Sequence, residues 1–354
     1  MSKGRILVTG GLGYIGSHTI IDLIEAGYDV VSLDNEINSS VDVLKGIEKI
    51  TGRLVENIHV DLSDKTETLH RLRAFGHFDG IIHFAALKSV EESVYHPTLY
   101  FHNNVGGSIT TLALMDELNI PHLIFSSSCT VYGSPEKLPV TEDSTMGKAE
   151  SPYGASKQAC EIMYDQYFKS QNKLTLHHEK DVVPKSGVSL RYFNPAGAHP
   201  SAWIGESARN KATNLVPVIT ETAIGKREEM IVYGTDYATR DGSCVRDYIH
   251  IMDLARAHTL AMDYLRSKSN SDAYEVYNLG IGDGVTVLEA INAFEKSTGE
   301  KVNYKLGPRR PGDVPAIYAD HNLISSRMQW QPVHDISSIM TSAWQWEINR
   351  SKKN

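Results

Sequence analysis

Eight residues near the start of the chain, Thr9-Gly10-Gly11-Leu12-Gly13-Tyr14-Ile15-Gly16, constrain the fold more than any other stretch. They lie between an apolar run, Arg5 to Thr9, and an amphipathic run from about Ile15 to Ala26 that ends at Gly27. The first run predicts a buried strand and the second a helix. The spacing satisfies GxxGxxG and, from Gly11, GxGxxG. Glycine lets such a turn fold tightly, lets the backbone approach a pyrophosphate, and lets the helix pack on the strand. The helix N-terminus then faces an anion with open N–H groups and the positive end of its dipole. A glycine turn alone also serves plain packing. Its place after the first strand of an alternating chain gives it meaning.

That alternation continues. Asp29 to Leu33, His59-Val60, Gly80 to Phe84 and His122 to Ser126 are strand candidates, with helical stretches between them, including Asn104 to Asn119. Strands alternating with helices, and apolar on both faces, predict an α/β fold: a parallel, doubly wound Rossmann sheet. After about Arg191 the alternation weakens and loops lengthen. The expectation is a nucleotide-binding domain over 1–190 and a smaller substrate domain over 191–354. Part of 245–300, beginning near Val245 to Met262, is expected to return to the first domain. The polar stretch His177 to Gly187 reads as a tolerated surface insertion.

Composition excludes several classes. The 354 residues carry 35 basic and 43 acidic side chains, a net charge of -8, so no basic footprint exists for nucleic acid or a membrane surface. No apolar run approaches the ~20 residues a membrane helix requires. The three cysteines, Cys129, Cys160 and Cys244, are scattered and read as reduced thiols, not a disulfide frame. No signal peptide precedes the first strand. Together these predict a soluble, cytoplasmic protein without a metal site.

Asp34 ends the second predicted strand, 18 residues after Gly16, where a carboxylate accepts adenosine ribose hydroxyls and repels a 2′-phosphate. No arginine follows in Asn35-Glu36-Ile37-Asn38, so NAD is favoured over NADP. A turn or cap aspartate is the alternative. Asp61-Leu62 ends the next strand, where adenine commonly lies, though an ordinary strand-end aspartate fits as well. Phe84-Ala85-Ala86-Leu87-Lys88 places small residues for close cofactor approach. Lys88 either reaches a phosphate or ribose or is simply solvated.

The stretch Ser151-Pro152-Tyr153-Gly154-Ala155-Ser156-Lys157 sets a tyrosine and a lysine at i and i+4, on one helical face. Ser151 suits the cap and Pro152 the first turn. An ammonium near a phenol lowers its pKa, which makes a usable base. Tyr264 and Lys268 share the spacing without the context, and no chemistry is assigned to them. Ser126-Ser127-Ser128-Cys129-Thr130-Val131-Tyr132-Gly133 follows a strand, so its hydroxyls lie at the carboxyl edge where ligands of such folds bind. A serine there completes a Ser/Tyr/Lys set for moving a proton and a hydride on a hydroxyl-bearing carbon.

With Arg191-Tyr192-Phe193-Asn194-Pro195-Ala196-Gly197-Ala198 and Val245-Arg246-Asp247-Tyr248-Ile249-His250, these motifs resemble the extended short-chain dehydrogenase/reductases, the UDP-glucose 4-epimerases in particular, across nearly the whole chain. The resemblance implies interconversion of UDP-glucose and UDP-galactose through a 4-keto intermediate, with NAD bound and a homodimeric assembly. It implies that Gly10, Gly13, Gly16, Asp34, Asn35, Asp61, Leu62, Phe84, Lys88, Asn103, Lys157 and Phe193 line NAD, with Tyr14, Ile15 and Ala85 beside them. Ser128 and Tyr153 would act on the sugar. Asn194, Asn214, Leu215, Tyr233, Arg246, Arg310 and Asp313 would hold the uridine diphosphate. Guanidinium forks at Arg246 and Arg310 suit phosphate oxygens; without the resemblance, Arg309-Arg310 reads as a solvated basic pair.

Ile317 falls at a position resembling the family's gate for substituted sugars. Its intermediate size leaves open whether N-acetyl sugars enter. A 4,6-dehydratase is the nearest rival. Its relatives place Asp-Glu after the edge serine or threonine, where this chain has Cys129-Thr130. A non-catalytic NAD-binding regulator would lose the tyrosine or lysine, and both are present.

Overall fold

A computed structural model describes residues 2–176, 183–207, 212–267, 273–310 and 313–352. Most of the predicted insertion, 177–182, and Lys268 lie outside them. The strands are β1 Arg5–Thr9, β2 Asp29–Leu33, β3 Glu56–Ile58, β4 Gly80–His83, β5 His122–Ser128, β6 Ser186–Tyr192, β7 Asn194–Ala196, β8 Met230–Tyr233, β9 Val245–His250, β10 Tyr274–Leu279, β11 Gly284–Thr286, β12 Tyr304–Gly307 and β13 Ala316–Ile317. The helices are α1 Tyr14–Glu25, α2 Val43–Thr51, α3 Lys65–Leu72, α4 Val90–Tyr95, α5 Pro97–Tyr100, α6 Gly106–Glu117, α7 Pro152–Leu176, α8 Leu215–Ala223, α9 Ile251–Ser267, α10 Val287–Thr298, α11 Asn322–Met328 and α12 Ile336–Ser351. Among the described residues, no helix is long and apolar enough to cross a membrane.

Chain contacts divide the molecule into two units: Met1–Ser134, Glu142–Tyr192 and Ala255–Tyr277 form one, and Pro135–Thr141, Phe193–Leu254 and Asn278–Asn354 the other. Nothing in the sequence singles out Pro135–Thr141. The first unit is built on a seven-stranded sheet in the order β10-β6-β5-β4-β1-β2-β3. From β3 through β6 every neighbouring pair is parallel. β1 pairs with β2 on one side and β4 on the other, so the strand order reverses there. The carboxyl end of such a reversal is where doubly wound sheets bind ligands. Leu7, Val31, Leu33, Ile58, Ile81, Leu123 and Phe125 share one core, which the helices on the sheet seal from water.

Three elements differ from expectation by more than one residue, the two strands for a pairing reason. The strand expected at His59-Val60 lies at Glu56–Ile58, because β2 offers partners only up to Leu33, opposite Ile58. β5 runs two residues longer, to Ser128, because β6 pairs with it up to Tyr192. The helix expected from Asn104 begins as a π-helical turn over Phe101–Val105 and becomes α-helical only at Gly106. It ends at Glu117, and Asn119 takes a left-handed conformation at φ 50, which asparagine tolerates better than most side chains.

In the second unit, β9 is the central strand. It pairs antiparallel with β11 and parallel with β13 and β7. β8 and β12 form a separate parallel pair. Val216, Ile219, Met230, Val232, Tyr248, Ile291, Phe294, Ile339 and Trp344 make its core.

Candidate active site

The glycine turn sits at the strand reversal. Gly10 has φ +70, and its N–H donates to the Leu33 carbonyl at 2.7 Å. A Cβ on Gly10 would lie 2.7 Å from the Ala85 backbone nitrogen, and one on Gly16 2.3 Å from the Gly10 oxygen. Gly13 caps α1 without a side-chain hydrogen bond. The turn therefore presents bare backbone and the N-terminus of a 12-residue helix, the arrangement a pyrophosphate requires. Tyr14 and Ile15 open the helix, half-buried. The collision at Gly10 also shows how closely the loop after β4, with Phe84 and Ala85, lies on the turn.

Asp34 ties β2 to this turn. Its Oδ2 accepts from the Leu12 N–H at 3.1 Å, and its Oδ1 accepts from the Glu36 N–H at 2.8 Å and the Ser39 hydroxyl at 2.7 Å. The turn-aspartate alternative is thus real in part, yet Oδ2 keeps acceptor capacity for a hydroxyl. The Asn35 amide donates to Asp61 Oδ2 at 3.0 Å, while Ser63 donates to Oδ1 through both N–H and hydroxyl. Burial raises the Asp61 pKa, but those donors outweigh it and hold the carboxyl below its ordinary value. Leu62 is buried. In the π-turn, the Asn103 and Asn104 side-chain oxygens both accept from the Leu87 N–H, at 3.2 and 2.8 Å. Lys88 is exposed.

Ser128, Tyr153 and Lys157 converge at the end of β5. Ser151 Oγ accepts from the Gly154 N–H at 3.2 Å, and Pro152 opens α7 as its sequence predicts. Gly154 has no side chain to hold off the Thr130 carbonyl; a Cβ there would sit 3.3 Å away. That brings the first turn of α7 against the 3-10 turn Cys129–Tyr132. Lys157 is buried; its Nζ donates to the Ser126 carbonyl at 2.7 Å and lies 4.8 Å from the Phe125 ring centroid. Burial lowers its pKa to about 8, against the pull of Cys160 and Glu161.

One expectation is overturned. The lysine does not set the phenol's pKa. Nζ stays 6.0 Å from the Tyr153 ring centroid, and burial pushes the phenol up to about 12, with a Ser128 hydrogen bond pulling the other way. Removing a phenolate from water outweighs a cation that is turned towards a carbonyl.

Sequence reasoning missed the support under this cluster. Glu161, one turn beyond Lys157 on α7, accepts from Arg191 Nε at 3.0 Å and Nη2 at 2.6 Å, and from the Ser127 hydroxyl. Arg191 Nη1 donates to the Tyr132 hydroxyl at 3.0 Å. Both charges are buried, so each needs the other; losing one partner of such a pair costs about 3–5 kcal/mol. The i, i+4, i+8 row of Tyr153, Lys157 and Glu161 was visible in the sequence, but the partner on β6 was not.

The second unit gathers Tyr233, Arg246, Arg310, Asp313 and Ile317. Arg246 Nη1 donates to the Val245 and Val314 carbonyls at 2.8 and 2.7 Å. Asp313 Oδ1 lies 3.4 Å from Arg246 Nη2, and Oδ2 accepts from Arg310 Nε at 3.2 Å. The Arg310 guanidinium lies over the Tyr233 ring, 4.9 Å from its centroid. Ile317, buried, pairs directly with Arg246 across β13 and β9. Phe193 is buried, and Asn194 pairs with Tyr248. Asn214 and Leu215 stand at the head of α8, where the Asn214 amide donates to Glu206 at 2.7 Å.

Known proteins resemble this chain over nearly its whole length. A family model described as GDP-mannose 4,6 dehydratase matches residues 7–343. A UDP-glucose 4-epimerase of Yersinia enterocolitica is 44% identical over 342 residues, covering 97% of each chain. The crystal structure of a UDP-glucose 4-epimerase from Bifidobacterium longum in complex with NAD+ and UDP is 39% identical with a TM-score of 0.89, covering 99% of this chain and 100% of that one. A UDP-glucose 4-epimerase from Stenotrophomonas maltophila, with bound NAD and formylated UDP-arabinopyranose, is 38% identical with a TM-score of 0.90, with the same coverage.

Proposed function

This chain belongs to the UDP-glucose 4-epimerases, and we propose that its Ser128, Tyr153 and Lys157 carry out the proton chemistry of that reaction. The chain interconverts UDP-glucose and UDP-galactose with NAD as its cofactor. The observation that carries the reading is the convergence of the three side chains at the end of β5, in the same unit as the glycine cradle. The dehydratase rival is disfavoured because Cys129 and Thr130 supply neither the acid nor the base that water removal needs.

Bound NAD supplies the acceptor and donor of hydride at C4 of the sugar. Gly10, Gly13 and Gly16 hold its pyrophosphate, Asp34 its adenosine ribose, and Lys157 its nicotinamide ribose. Tyr153 takes the proton of the 4-hydroxyl and later returns it. Ser128 donates a hydrogen bond to the same oxygen, which stabilises charge as it develops there. Arg246 and Arg310 hold the diphosphate throughout, so the 4-keto sugar stays attached while its ring turns over. Inversion then involves no net redox change and no exchange of the C4 hydrogen with water. With substrate deuterated at C4, the label is expected to remain at C4 of the product. Label appearing in solvent would overturn the mechanism in favour of direct carbon deprotonation.

Three finer readings belong here. The first unit exposes Val90, Val94, Tyr95, Leu99, Phe101, Ile109 and Ile162 on α4 to α7. So many large apolar side chains on one group of helices support a homodimer, which sedimentation at twice 39.3 kDa would verify. The free, buried cysteines support a reducing, cytoplasmic setting, which cell fractionation would check. Ile317, smaller than an aromatic gate, supports UDP-N-acetyl sugars as secondary substrates.

A further inference from the structure

A serine oxygen carries one proton and two lone pairs. In this structure both lone pairs of Ser128 Oγ face donors from one residue. The Thr130 N–H donates to it at 3.2 Å and the Thr130 hydroxyl at 3.1 Å. What Ser128 has left to offer is its proton. Thr130 is itself held: its carbonyl accepts from the Gly133 N–H at 3.3 Å and lies against Gly154 of α7. Its branched Cβ also stiffens χ1, so the hydroxyl does not readily swing away.

We propose that Thr130 is a positioning residue that makes Ser128 a hydrogen-bond donor and nothing else throughout epimerisation. The inference rests on the role given above to Ser128. It explains why two neighbouring hydroxyls at one reacting oxygen do not compete. A substrate 4-hydroxyl must give its proton to something. Ser128, its lone pairs already engaged, cannot receive it, and Tyr153 is the acceptor that remains. Ser128 donates its one proton to the Tyr153 oxygen in this structure, and as charge develops on O4 that same proton is what it has to give. Without the Thr130 hydroxyl, one lone pair of Ser128 opens. The substrate can then hydrogen-bond to serine in an orientation that leads nowhere, binding as well but reacting less often.

The test uses purified, NAD-loaded enzyme with UDP-galactose, and the substitutions Thr130→Val, Thr130→Ser, Ser128→Ala and Ser128→Ala with Thr130→Val. Thr130→Val should lower kcat roughly 3–30-fold with KM moved less than about 2-fold. Thr130→Ser should restore kcat to within about 3-fold. In the Ser128→Ala background, Thr130→Val should add no further loss, because the two act through one hydrogen bond. The acid limb of the kcat/KM profile should also move to higher pH in Thr130→Val. A phenolate supported by a less well-aimed donor is less stable, so its proton is lost only at higher pH. Thr130→Ala removes the same hydroxyl and replaces the valine variant if near-UV circular dichroism shows that one misfolded. Wild-type kcat and pH profile in these variants, beside an impaired Ser128→Ala, would overturn this inference alone, as would losses that multiply in the double variant. A silent Ser128→Ala would overturn the serine's role itself, and this inference with it.

Discussion

The two clusters of charged and polar groups are built on opposite principles. In the first unit Lys157 is buried and its pKa falls to about 8, while burial lifts the Tyr153 phenol to about 12. In the second, Asp313 is shared by Arg246 and Arg310, and Arg310 is more than half exposed. A group that must gain and lose a proton benefits from a site where small changes move its equilibrium, and low dielectric provides that sensitivity. A group that must only hold an anion benefits from a charge that never changes, which guanidinium provides in any setting. The first cluster is therefore expected to govern turnover and the second to govern retention.

The sharpest way to break that contrast is Tyr153→Phe. It removes the proton carrier and should lower kcat roughly 10²–10⁴-fold while nucleotide-sugar binding persists. Tyr264→Phe serves as the matched control: that phenol donates to Glu275 at 3.0 Å and should be nearly silent. Equal losses in steady-state turnover from the two variants would dissolve the distinction. Next in size is Arg246→Ala. Removing a charge-assisted phosphate contact should raise KM for UDP-galactose by about 10–100-fold and change kcat by less than about 3-fold. A collapse of kcat at unchanged KM would place Arg246 in the chemistry instead. The smallest effect on the plain hexose belongs to Ile317→Tyr. A bulkier side chain paired beside Arg246 should abolish turnover of UDP-N-acetylgalactosamine and leave UDP-galactose within about 3-fold. A wild-type enzyme inactive on the N-acetyl sugar, or a tyrosine variant still active on it, would place the gate elsewhere.

Much of the first unit was legible because its signals are local. The glycine turn, the strand runs and the Tyr153–Lys157 spacing each depend on neighbours in sequence. Boundaries failed where distant pairing decided them, as at His59-Val60 and Ser128. The phenol's pKa was misjudged for a related reason. Spacing shows that Tyr153 and Lys157 share a face, but not that Nζ turns to the Ser126 carbonyl. Likewise the Arg191 motif was visible, yet its buried partner Glu161 lies on another element. In the second unit the residues alone gave a basic pair at Arg309-Arg310, and Arg246 came only through the family resemblance; the sharing of Asp313 by Arg246 and Arg310 depends on how the chain folds back.

The glycine turn also bears on how this gene can recover from damage. A Cβ on Gly80 would strike Met262 Cε at 2.6 Å, the end of a flexible side chain. A missense change there leaves room for a second, compensating change at the methionine. On Gly10 and Gly16 the obstructing atoms belong to the backbone of Ala85, Phe84, Gly10 and Gly11. No substitution at a neighbouring position removes a backbone atom. Revertants selected from Gly16 lesions should therefore be true revertants at the glycine codon, whereas Gly80 lesions should also yield second-site suppressors.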